Sequence, residues 1–568
     1  MDAPGSASRT KLWMLAPLLV AAVTIAALLP STNVRWSADD SYVLEHLQAR
    51  DWGTRLFAFN LDRPSDAAGA WWDGIVYQRR FVRIVPSAFM ALEVRVLGQD
   101  PWRVHVVSLA LHLFNALLIF HLSRRRLQDA WKAALVAMVF GAHPVVLEVG
   151  SWFACQPLLL ATACLLLATE AWIRYRLTTK GSWLAAATVS MLAAVLSYEA
   201  AIAGPVLLVL GDIALRRRVL APRRAWPPRL AVLGVLVPFL FLSLWNNAGV
   251  VAPETSYRPG FAEVWTVARI DLEAYLLKGL GLVQPGAPAA YWIHNRVGEA
   301  AVVALLLAVI VPLGWWARRD PLALLGILTF AAFLAPPWLM RATFSALNQP
   351  SLRQLYLPLL GLAATLTSAL CLARLRTALI LTLPVIAAFI FFDRQPRGGP
   401  GSGAADSARF VVAQALASDG VDVPVIISGS FEPVLDRAGC AYDLSLTWPG
   451  RPQLNLIPPS RSGAAPRLVR TSDHSFTAHA DAEGFAIALR RRPPPNLAVF
   501  SSGGVRITPT PPQLMRDGHQ QVGGARIELV GSGSAVIHTL RYTLDKPIEQ
   551  YAFLAVEGCT KARANRPQ

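Results

Sequence analysis

Long apolar runs separated by short segments rich in arginine make up the larger part of the chain. A helix needs about 20 mostly apolar residues to cross the hydrocarbon core of a bilayer, so the runs predict about eleven membrane-spanning helices. Their approximate ranges are 12–30, 104–122, 131–147, 152–172, 182–198, 200–215, 230–248, 298–317, 321–339, 355–373 and 377–392. The pattern predicts an α-helical polytopic membrane protein over residues 1–392.

The composition agrees with a membrane protein and excludes a soluble protein of this size. The 568 residues are 54% hydrophobic and only 16% charged, and the formal net charge is +17. In a soluble protein such a charge would suggest a nucleic-acid partner. Here the arginines lie between apolar runs, where positive charge marks the cytoplasmic side of a membrane. We therefore expect a membrane, and no nucleic acid, as the partner.

Clusters of arginine and lysine set the orientation of the helices. They follow alternate spans, at 124–132, 174–180, 216–229, 318–319 and 374–376. With all of these on the inside, the N-terminus is cytoplasmic and the C-terminus lies outside. For a bacterium this predicts a multi-pass protein of the inner membrane with a periplasmic C-terminal domain. The charged segment 261–283 would break the alternation as a span, so we interpret it as an interfacial or re-entrant helix.

The outer side then holds a long first loop, 31–103, a second loop, 249–297, and a third near 341–354. The first loop carries aromatic and charged residues side by side, at 71–73 and 78–81. Such segments are typical of helices that lie on a membrane surface.

The tail after the last span has a different pattern. A glycine-rich segment within 393–403 predicts a flexible linker, and a short helix is expected near 404–418. Short β-branched and aromatic runs then alternate with glycine and proline, which is typical of strands. They lie at 423–428, 485–489, 497–500, 526–530, 536–544 and 552–556. We predict a small β-rich or α+β extracytoplasmic domain over 404–568.

The five cysteines divide between these regions. Cys155, Cys164 and Cys371 lie in or beside apolar runs and are expected to be inert core residues. Cys440 and Cys559 lie in the tail and can pair if the tail is in an oxidising compartment. The sequence shows no spacing typical of a metal site, so none is predicted.

The most informative polar residues are Asp39 and Asp40, a few residues beyond the first apolar run. Acidic residues at the mouth of a membrane helix are costly unless they serve a function. Position alone leaves two interpretations open: a cap for a surface helix that starts near Ser41, or a general base. A base role needs nearby cations that hold a leaving phosphate.

Arginines on the same side of the membrane are candidates for those cations. Arg79, Arg80 and Arg83 precede Pro86, and contact with anionic lipid headgroups is the alternative explanation for some of them. Arg353 stands at the outer end of a span, where the positive-inside rule disfavours a cation. Its planar guanidinium is well shaped for bidentate contact with a phosphate.

Histidines and acids near the outer face are further candidates. His105, His112 and Asn115 share one face of the second span, and we expect interhelical hydrogen bonds from His112 and Asn115. The predicted outer turns hold other polar residues, which are His143, Glu148 and Glu199. Each acid is either a site residue or the partner of an outer arginine in a structural ion pair.

The order of these residues resembles a family. The motifs are, in chain order, Asp39-Asp40, Arg83 with Pro86, His105 with His112 and Asn115, Ala142-His143-Pro144 with Glu148 and Trp152, Glu199 with Pro205 and Asp212, and Arg353-Gln-Leu-Tyr356-Leu-Pro358-Leu-Leu-Gly361. Over residues 12–392 the chain resembles the GT-C membrane glycosyltransferases. The resemblance is greatest to the membrane region of the tetratricopeptide-repeat protein O-mannosyltransferases and their bacterial relatives.

The resemblance implies an inverting glycosyltransferase that moves a sugar from a polyprenyl-phosphate donor to an extracytoplasmic protein, lipid or polysaccharide. It implies a first-loop aspartate as the general base, with Asp40 preferred over Asp39. The implied substrate- and phosphate-binding residues are Arg79, Arg80, Arg83, His105, His143, Glu148, Glu199, Arg353 and Tyr356. It implies no certain cofactor and at most a weakly bound divalent cation.

Some positions depart from the family pattern. After Trp152 the family often has Gly-Arg-x-Asp, whereas this chain has Cys155-Gln156-Pro157-Leu158. Leu352 stands in place of a glutamate, and Tyr198 in place of a lysine. No tetratricopeptide repeats are present, so acceptor capture must differ.

Three other functions stay open. An O-antigen ligase or polymerase also uses lipid-linked glycans and would depend on a late external loop, with Arg341 and Arg353. A transporter is expected to have broken helices, internal repeats and midplane charges, whereas the acids here cluster at the outer face. A non-catalytic assembly subunit would use the tail as its binding module.

Overall fold

The computed structural model describes most of the helical region and separate segments of the tail. The described residues are 14–33, 38–63, 75–214, 222–247, 275, 315–316, 318–344, 352–394, 425–429, 453–457, 466–482, 485, 505–509, 514, 519–522, 525–530, 539–557 and 561–564. Cys440, Cys559, the 393–403 linker and the 404–418 helix lie outside them.

Helices account for nearly all of the described residues before the tail. They are α1 (Leu15–Leu28), α2 (Ala38–Leu47), α3 (Trp52–Leu56), α4 (Ile84–Leu97), α5 (Pro101–Leu127), α6 (Ala130–Gly141), α7 (Val145–Gly150), α8 (Gln156–Thr178), α9 (Gly181–Val195), α10 (Ala203–Ala214), α11 (Pro222–Leu233), α12 (Leu236–Asn247), α13 (Pro321–Phe344), α14 (Pro358–Leu372) and α15 (Leu375–Arg394). Short 3₁₀ turns lie at Leu29–Asn33, Phe153–Cys155, Glu199–Ile202 and Leu352–Leu355.

Four helical stretches of the described residues are long and apolar enough to cross a membrane: Leu15–Thr32, Pro101–Leu127, Phe153–Thr178 and Trp226–Asn246. Shorter apolar helices include Ala130–Gly141, Gly181–Val195, Pro321–Pro336, Pro358–Leu372 and Leu375–Ile390. Each predicted span except 298–317 coincides with a helix. Residues 298–314 lie outside the described part, as does 261–283 apart from Tyr275, so the count of about eleven spans stays a prediction.

Helix α5 lies inside the bundle, where it packs against α1, α6, α8 and α14. His112 on α5 is fully buried. Its Nε2 faces the Gly141 carbonyl (3.2 Å), which can only accept, so Nε2 carries the proton and donates. Its Nδ1 therefore accepts a hydrogen bond from the Tyr356 hydroxyl (2.7 Å). Asn115 donates to the same hydroxyl (3.2 Å). The predicted interhelical hydrogen bonds of His112 and Asn115 are therefore confirmed.

Helices α13 and α14 cross with their backbones in contact at Gly326 and Gly361. A β-carbon on Gly361 would meet the Gly326 carbonyl and the Phe330 amide, so a larger residue does not fit without a backbone shift. Small residues commonly let membrane helices approach this closely. The contact fixes the start of α14 and the Leu352–Leu355 turn that precedes it.

The first loop folds as helices α2 to α4 and a hairpin of β1 (Leu61–Arg63) and β2 (Ile75–Arg79). The described residues of the loop have a core of their own, which includes Val43, Phe59, Phe81 and Met90. The helix expected at 78–81 is wrong, because β2 runs through Arg79. The β-branched and aromatic run at 75–77 favours a strand over a helix. Residues 71–73 lie outside the described part.

The described residues of the tail form two sheets of their own. A five-stranded antiparallel sheet has the order β5-β6-β10-β9-β8, and a four-stranded mixed sheet has the order β12-β11-β3-β4. The strands are β3 (Val425–Gly429), β4 (Gln453–Ile457), β5 (Arg467–Arg470), β6 (Ser475–His479), β8 (His519–Val522), β9 (Ala525–Leu529), β10 (Thr539–Leu544), β11 (Ala552–Glu557) and β12 (Lys561–Ala564). Phe476 and Tyr542 stack at 4.8 Å in a shared core. The predicted β-rich character is confirmed, while the run at 497–500 lies outside the described residues.

One tail strand leaves these sheets and joins the first loop. The strand β7 (Val505–Pro509) pairs antiparallel with β2, with Ile75 opposite Pro509 and Arg79 opposite Val505. The result is a three-stranded sheet with the order β1-β2-β7. The tail is therefore attached to the first loop as well as to the end of the last helix.

Candidate functional site

Asp40 lies in the first turn of α2, which begins at Ala38. The cap interpretation, with a helix that starts near Ser41, is therefore wrong. The Asp40 side chain is fully buried, and its Oδ1 accepts a hydrogen bond from the Ala154 amide (2.9 Å). The backbone of Asp39 belongs to the same helix, but its side chain lies outside the described residues.

Residues 152–156, called the 152–156 turn below, connect α7 to α8 and contact both Asp40 and Arg353. Besides the Ala154 amide, the turn presents the ring of Trp152, whose centroid is 3.9 Å from Arg353 Cζ. Arg353 Nη1 is 4.0 Å from Cys155 Sγ. The turn thus contacts both a carboxylate and a guanidinium, although Asp40 and Arg353 are far apart in sequence.

Arg353 lies on the Leu352–Leu355 turn, just before α14 begins at Pro358. Proline suits the first turn of a helix, because its missing N–H would have no intrahelical acceptor there. The next residue, Gln354, accepts a hydrogen bond from the Tyr198 hydroxyl (3.1 Å). That bond connects the Arg353 turn to the segment that carries Glu199.

A second guanidinium stands close by. Arg83 donates to Glu199 through Nε (3.0 Å) and Nη2 (2.5 Å), and its Cζ lies over the rings of Phe59 (5.0 Å), Phe81 (4.3 Å) and Tyr198 (4.7 Å). Burial alone would lower the Arg83 pKa, but the Glu199 carboxylate outweighs it and holds the pKa above its usual value, while Arg353 acts in the opposite direction. The Glu199 carboxylate therefore pairs with Arg83, and its role in a site stays a prediction.

The structure places the other predicted residues more widely. Arg80 donates to the Asn246 carbonyl (3.0 Å) and ties the first loop to the end of α12. His143 accepts a hydrogen bond from the Val145 amide (3.2 Å). Glu148 on α7 lies within electrostatic range of Cys155, as does Asp40.

Three predicted residues remain. His105 is fully buried on α5. The Tyr356 hydroxyl is used by His112 and Asn115 inside the bundle. The side chain of Arg79 lies outside the described residues. The residues brought together are therefore Asp40, Arg83, Glu148, Glu199 and Arg353.

Sequence reasoning missed several residues that build this cluster. Gln354 and Tyr198 join two of its segments, and Ala154 acts through its backbone, which leaves no sequence signal. Glu93 and Gln156 hold the 152–156 turn from the side of α4. Glu93 had one available signal, as an acid within an otherwise largely apolar stretch of the first loop.

Among the described residues, no group of three or more His, Cys, Asp and Glu side chains is arranged to hold a metal ion. The weakly bound divalent cation implied by the resemblance is not tested by this arrangement.

No family model matches the chain, and no curated protein matches it. Among solved structures, the archaeal oligosaccharyltransferase AglB from Archaeoglobus fulgidus, in complex with an inhibitory peptide and a dolichol-phosphate, is 14% identical with a TM-score of 0.40. That match covers 74% of this chain but only 63% of the AglB chain. ArnT from Cupriavidus metallidurans bound to undecaprenyl phosphate is 14% identical with a TM-score of 0.34, over 80% of this chain and 86% of ArnT. Likenesses this distant decide neither fold nor activity, so a function has to be argued from the chain's own residues.

Proposed function

We propose that the chain is a GT-C-type glycosyltransferase that moves a sugar from a polyprenyl phosphate to an acceptor hydroxyl at the outer face of a bacterial inner membrane. One observation carries the proposal. Asp40 and Arg353, from two distant motifs, both contact the 152–156 turn, and Arg83 from a third motif lies within electrostatic range of Arg353. Both the order of the motifs and their meeting in space agree with a single site.

In the proposed reaction the hydroxyl oxygen of the acceptor attacks the anomeric carbon of the sugar. Asp40 accepts the proton that this hydroxyl loses. The bond from that carbon to the donor phosphate breaks, and the polyprenyl phosphate departs with the bonding electrons. Attack from the face opposite the phosphate inverts the anomeric configuration. The hydrogen bond from the Ala154 amide to Asp40 Oδ1 (2.9 Å) would hold the carboxylate in position for this step.

Arg353 is the proposed ligand of the departing phosphate. A guanidinium offers a planar fork of donors that matches two phosphate oxygens. The Trp152 ring under Arg353 Cζ (3.9 Å) restricts the orientation of that plane. Arg83 is paired with Glu199 and lies within electrostatic range of Arg353. The other predicted donor contacts stay predictions, namely Arg79, Arg80, His105, His143, Glu148 and Tyr356.

The proposal is tested in a deletion strain by analysis of cell-surface glycans and glycoproteins. The strain is complemented with Asp39→Asn or Asp40→Asn. Asp40→Asn, which removes the proposed base, is expected not to restore the glycans, whereas Asp39→Asn is expected to restore them fully or in part. Asp100→Asn is the matched control, because it makes the same change at an exposed helix cap outside the site. The proposal is wrong if both site variants restore the glycans fully while each is inserted at normal levels.

Arg353→Lys tests the phosphate contact in membranes supplied with the lipid-linked donor. Lysine keeps the charge but loses the planar fork, so we expect kcat/KM for the donor to fall about tenfold or more, about 1.4 kcal/mol. The ligase or polymerase alternative also predicts a loss here, but it predicts full activity for Asp40→Asn. The pair of variants therefore separates the two functions.

A further inference from the structure

The 152–156 turn is held by a buried polar cluster that the proposed reaction does not use. Gln156 is fully buried, and its Nε2 donates to Glu93 Oε1 and to Ser108 Oγ, both at 3.1 Å. Glu93 lies on α4 and Ser108 on α5. One amide therefore joins the turn to two helices.

Two atoms of this cluster have no hydrogen-bond partner among the described residues: Glu93 Oε2 and Gln156 Oε1. With an ionised carboxylate both atoms are acceptors, and two buried acceptors without a donor are unfavourable. A single proton on Glu93 Oε2 turns it into a donor. An acid already joined to an amide by one hydrogen bond can then make the second, from its O–H to the amide oxygen. One proton thus accounts for both atoms.

The surroundings favour that proton. Burial raises the Glu93 pKa to about 8, and the Gln156 hydrogen bond lowers it only in part. The elements packed against α4 carry titratable groups, which include Asp40 and His46 on α2, Arg55 on α3, Arg103 and His105 on α5, and Cys155 and Cys164 around α8. Among the described residues none of them contributes to the shift.

We propose that protonated Glu93 is a positioning residue that closes a two-hydrogen-bond acid–amide pair with Gln156 and so fixes the 152–156 turn. The acid–amide pair itself does not depend on the proposed function. Only its purpose, to hold the turn in place for sugar transfer, rests on that function. The turn carries the Ala154 amide bound to Asp40 and the Trp152 ring under Arg353. Loss of the proton leaves two acceptors side by side, and the turn loosens under both the base and the phosphate ligand.

Glu93→Gln tests the pair in the purified full-length protein, because two amides also make two hydrogen bonds but do not titrate. The folded pKa lies above that of a free glutamate, so the stabilisation is complete below the free value of 4.5 and is lost as pH rises from there to about 8. The melting temperature of the natural protein should therefore fall by several degrees between about pH 6 and about pH 9, and that of Glu93→Gln should fall clearly less. Glu528→Gln makes the same change at a half-buried acid of the tail. Its melting temperature should fall as much as that of the natural protein.

A swapped variant, Glu93→Gln with Gln156→Glu, restores an acid–amide pair and should recover the pH dependence. An equal fall in Glu93→Gln and the natural protein overturns the proposal. Donor-dependent transfer should decline through about pH 8 in the natural protein, and this decline should be absent in Glu93→Gln. The melting temperature can be measured whether or not the protein transfers a sugar. An absence of transfer in all variants therefore counts against the proposed function, while the melting temperatures still test the Glu93–Gln156 pair.

Discussion

The two ends of the helix bundle use arginine and carboxylate differently. At the end predicted to be cytoplasmic, Asp212 on α10 accepts from Arg229 Nε (3.0 Å) and Nη2 (2.8 Å), and its Oδ1 lies 3.2 Å from Arg176 Nε. One buried carboxylate thus joins α8, α10 and α11. The guanidiniums of Arg176 and Arg229 compensate its negative charge and hold it in place.

At the end predicted to be outer, Asp40 accepts from the Ala154 amide (2.9 Å). The nearby Arg353 lies on the Trp152 ring. In the proposed function this carboxylate and this cation act on a substrate, whereas the Asp212 cluster at the other end joins three helices. Variants at the two ends should therefore separate stability from activity.

Asp40→Asn should give the largest effect and only on activity. Loss of a general base lowers the rate of transfer about a hundredfold to ten-thousandfold. Asparagine Oδ1 still accepts from Ala154, so the free energy of unfolding should change by less than about 1 kcal/mol. Transfer assays and thermal unfolding of the same preparation check both. A large loss of stability without a specific loss of rate would erase the contrast between the two ends.

Asp212→Ala should show the opposite behaviour. Removal of one partner of a buried ion pair costs about 3–5 kcal/mol, because the guanidiniums of Arg176 and Arg229 stay buried without their carboxylate. Thermal unfolding in detergent should show the loss, while activity per folded molecule is retained. Unchanged stability would mean that these arginines do not depend on Asp212.

Tyr356→Phe tests whether the Tyr356 hydroxyl stabilises the bundle or binds the substrate, and we expect an effect on stability. The hydroxyl serves His112 Nδ1 (2.7 Å), and its removal leaves a buried nitrogen without a donor, at a cost of about 1–3 kcal/mol. The donor KM should stay the same. A raised KM with unchanged stability would restore the substrate-binding role implied by the resemblance.

Glu170→Gln should give the smallest effect. Glu170 Oε1 is bound by Arg125 (2.6 Å) and Arg174 (2.5 Å), whose side chains are 33% and 40% exposed. Partly solvated pairs of this kind contribute about 1 kcal/mol or less. Thermal unfolding beside Asp212→Ala measures the difference between a buried and a solvated cluster at the same end. A loss as large as that of Asp212→Ala would show that exposure does not decide the matter.

The sequence predicts the spans because apolar length is a local property, and the described helices agree with them. It also predicts the pairing of Glu199 with an outer arginine. It does not predict the contact between Glu93 and Gln156, which lie 63 residues apart in different elements. It misassigns 78–81 as helix, because pairing with β1 and β7 decides the strand and neither partner is visible in the local pattern. The roles of Asp40 and Arg353 stay predictions.

The pairing of β2 with β7 has a consequence for the order of assembly. The ribosome completes Arg79 long before Val505, its partner in the register. Through most of synthesis β2 therefore has one unpaired edge, and unpaired edges invite pairing with other chains. The last part of the chain to be made closes the sheet of the first loop. A product truncated before Val505 would lack this pairing, so the first loop completes its sheet only after most of the polypeptide has been made.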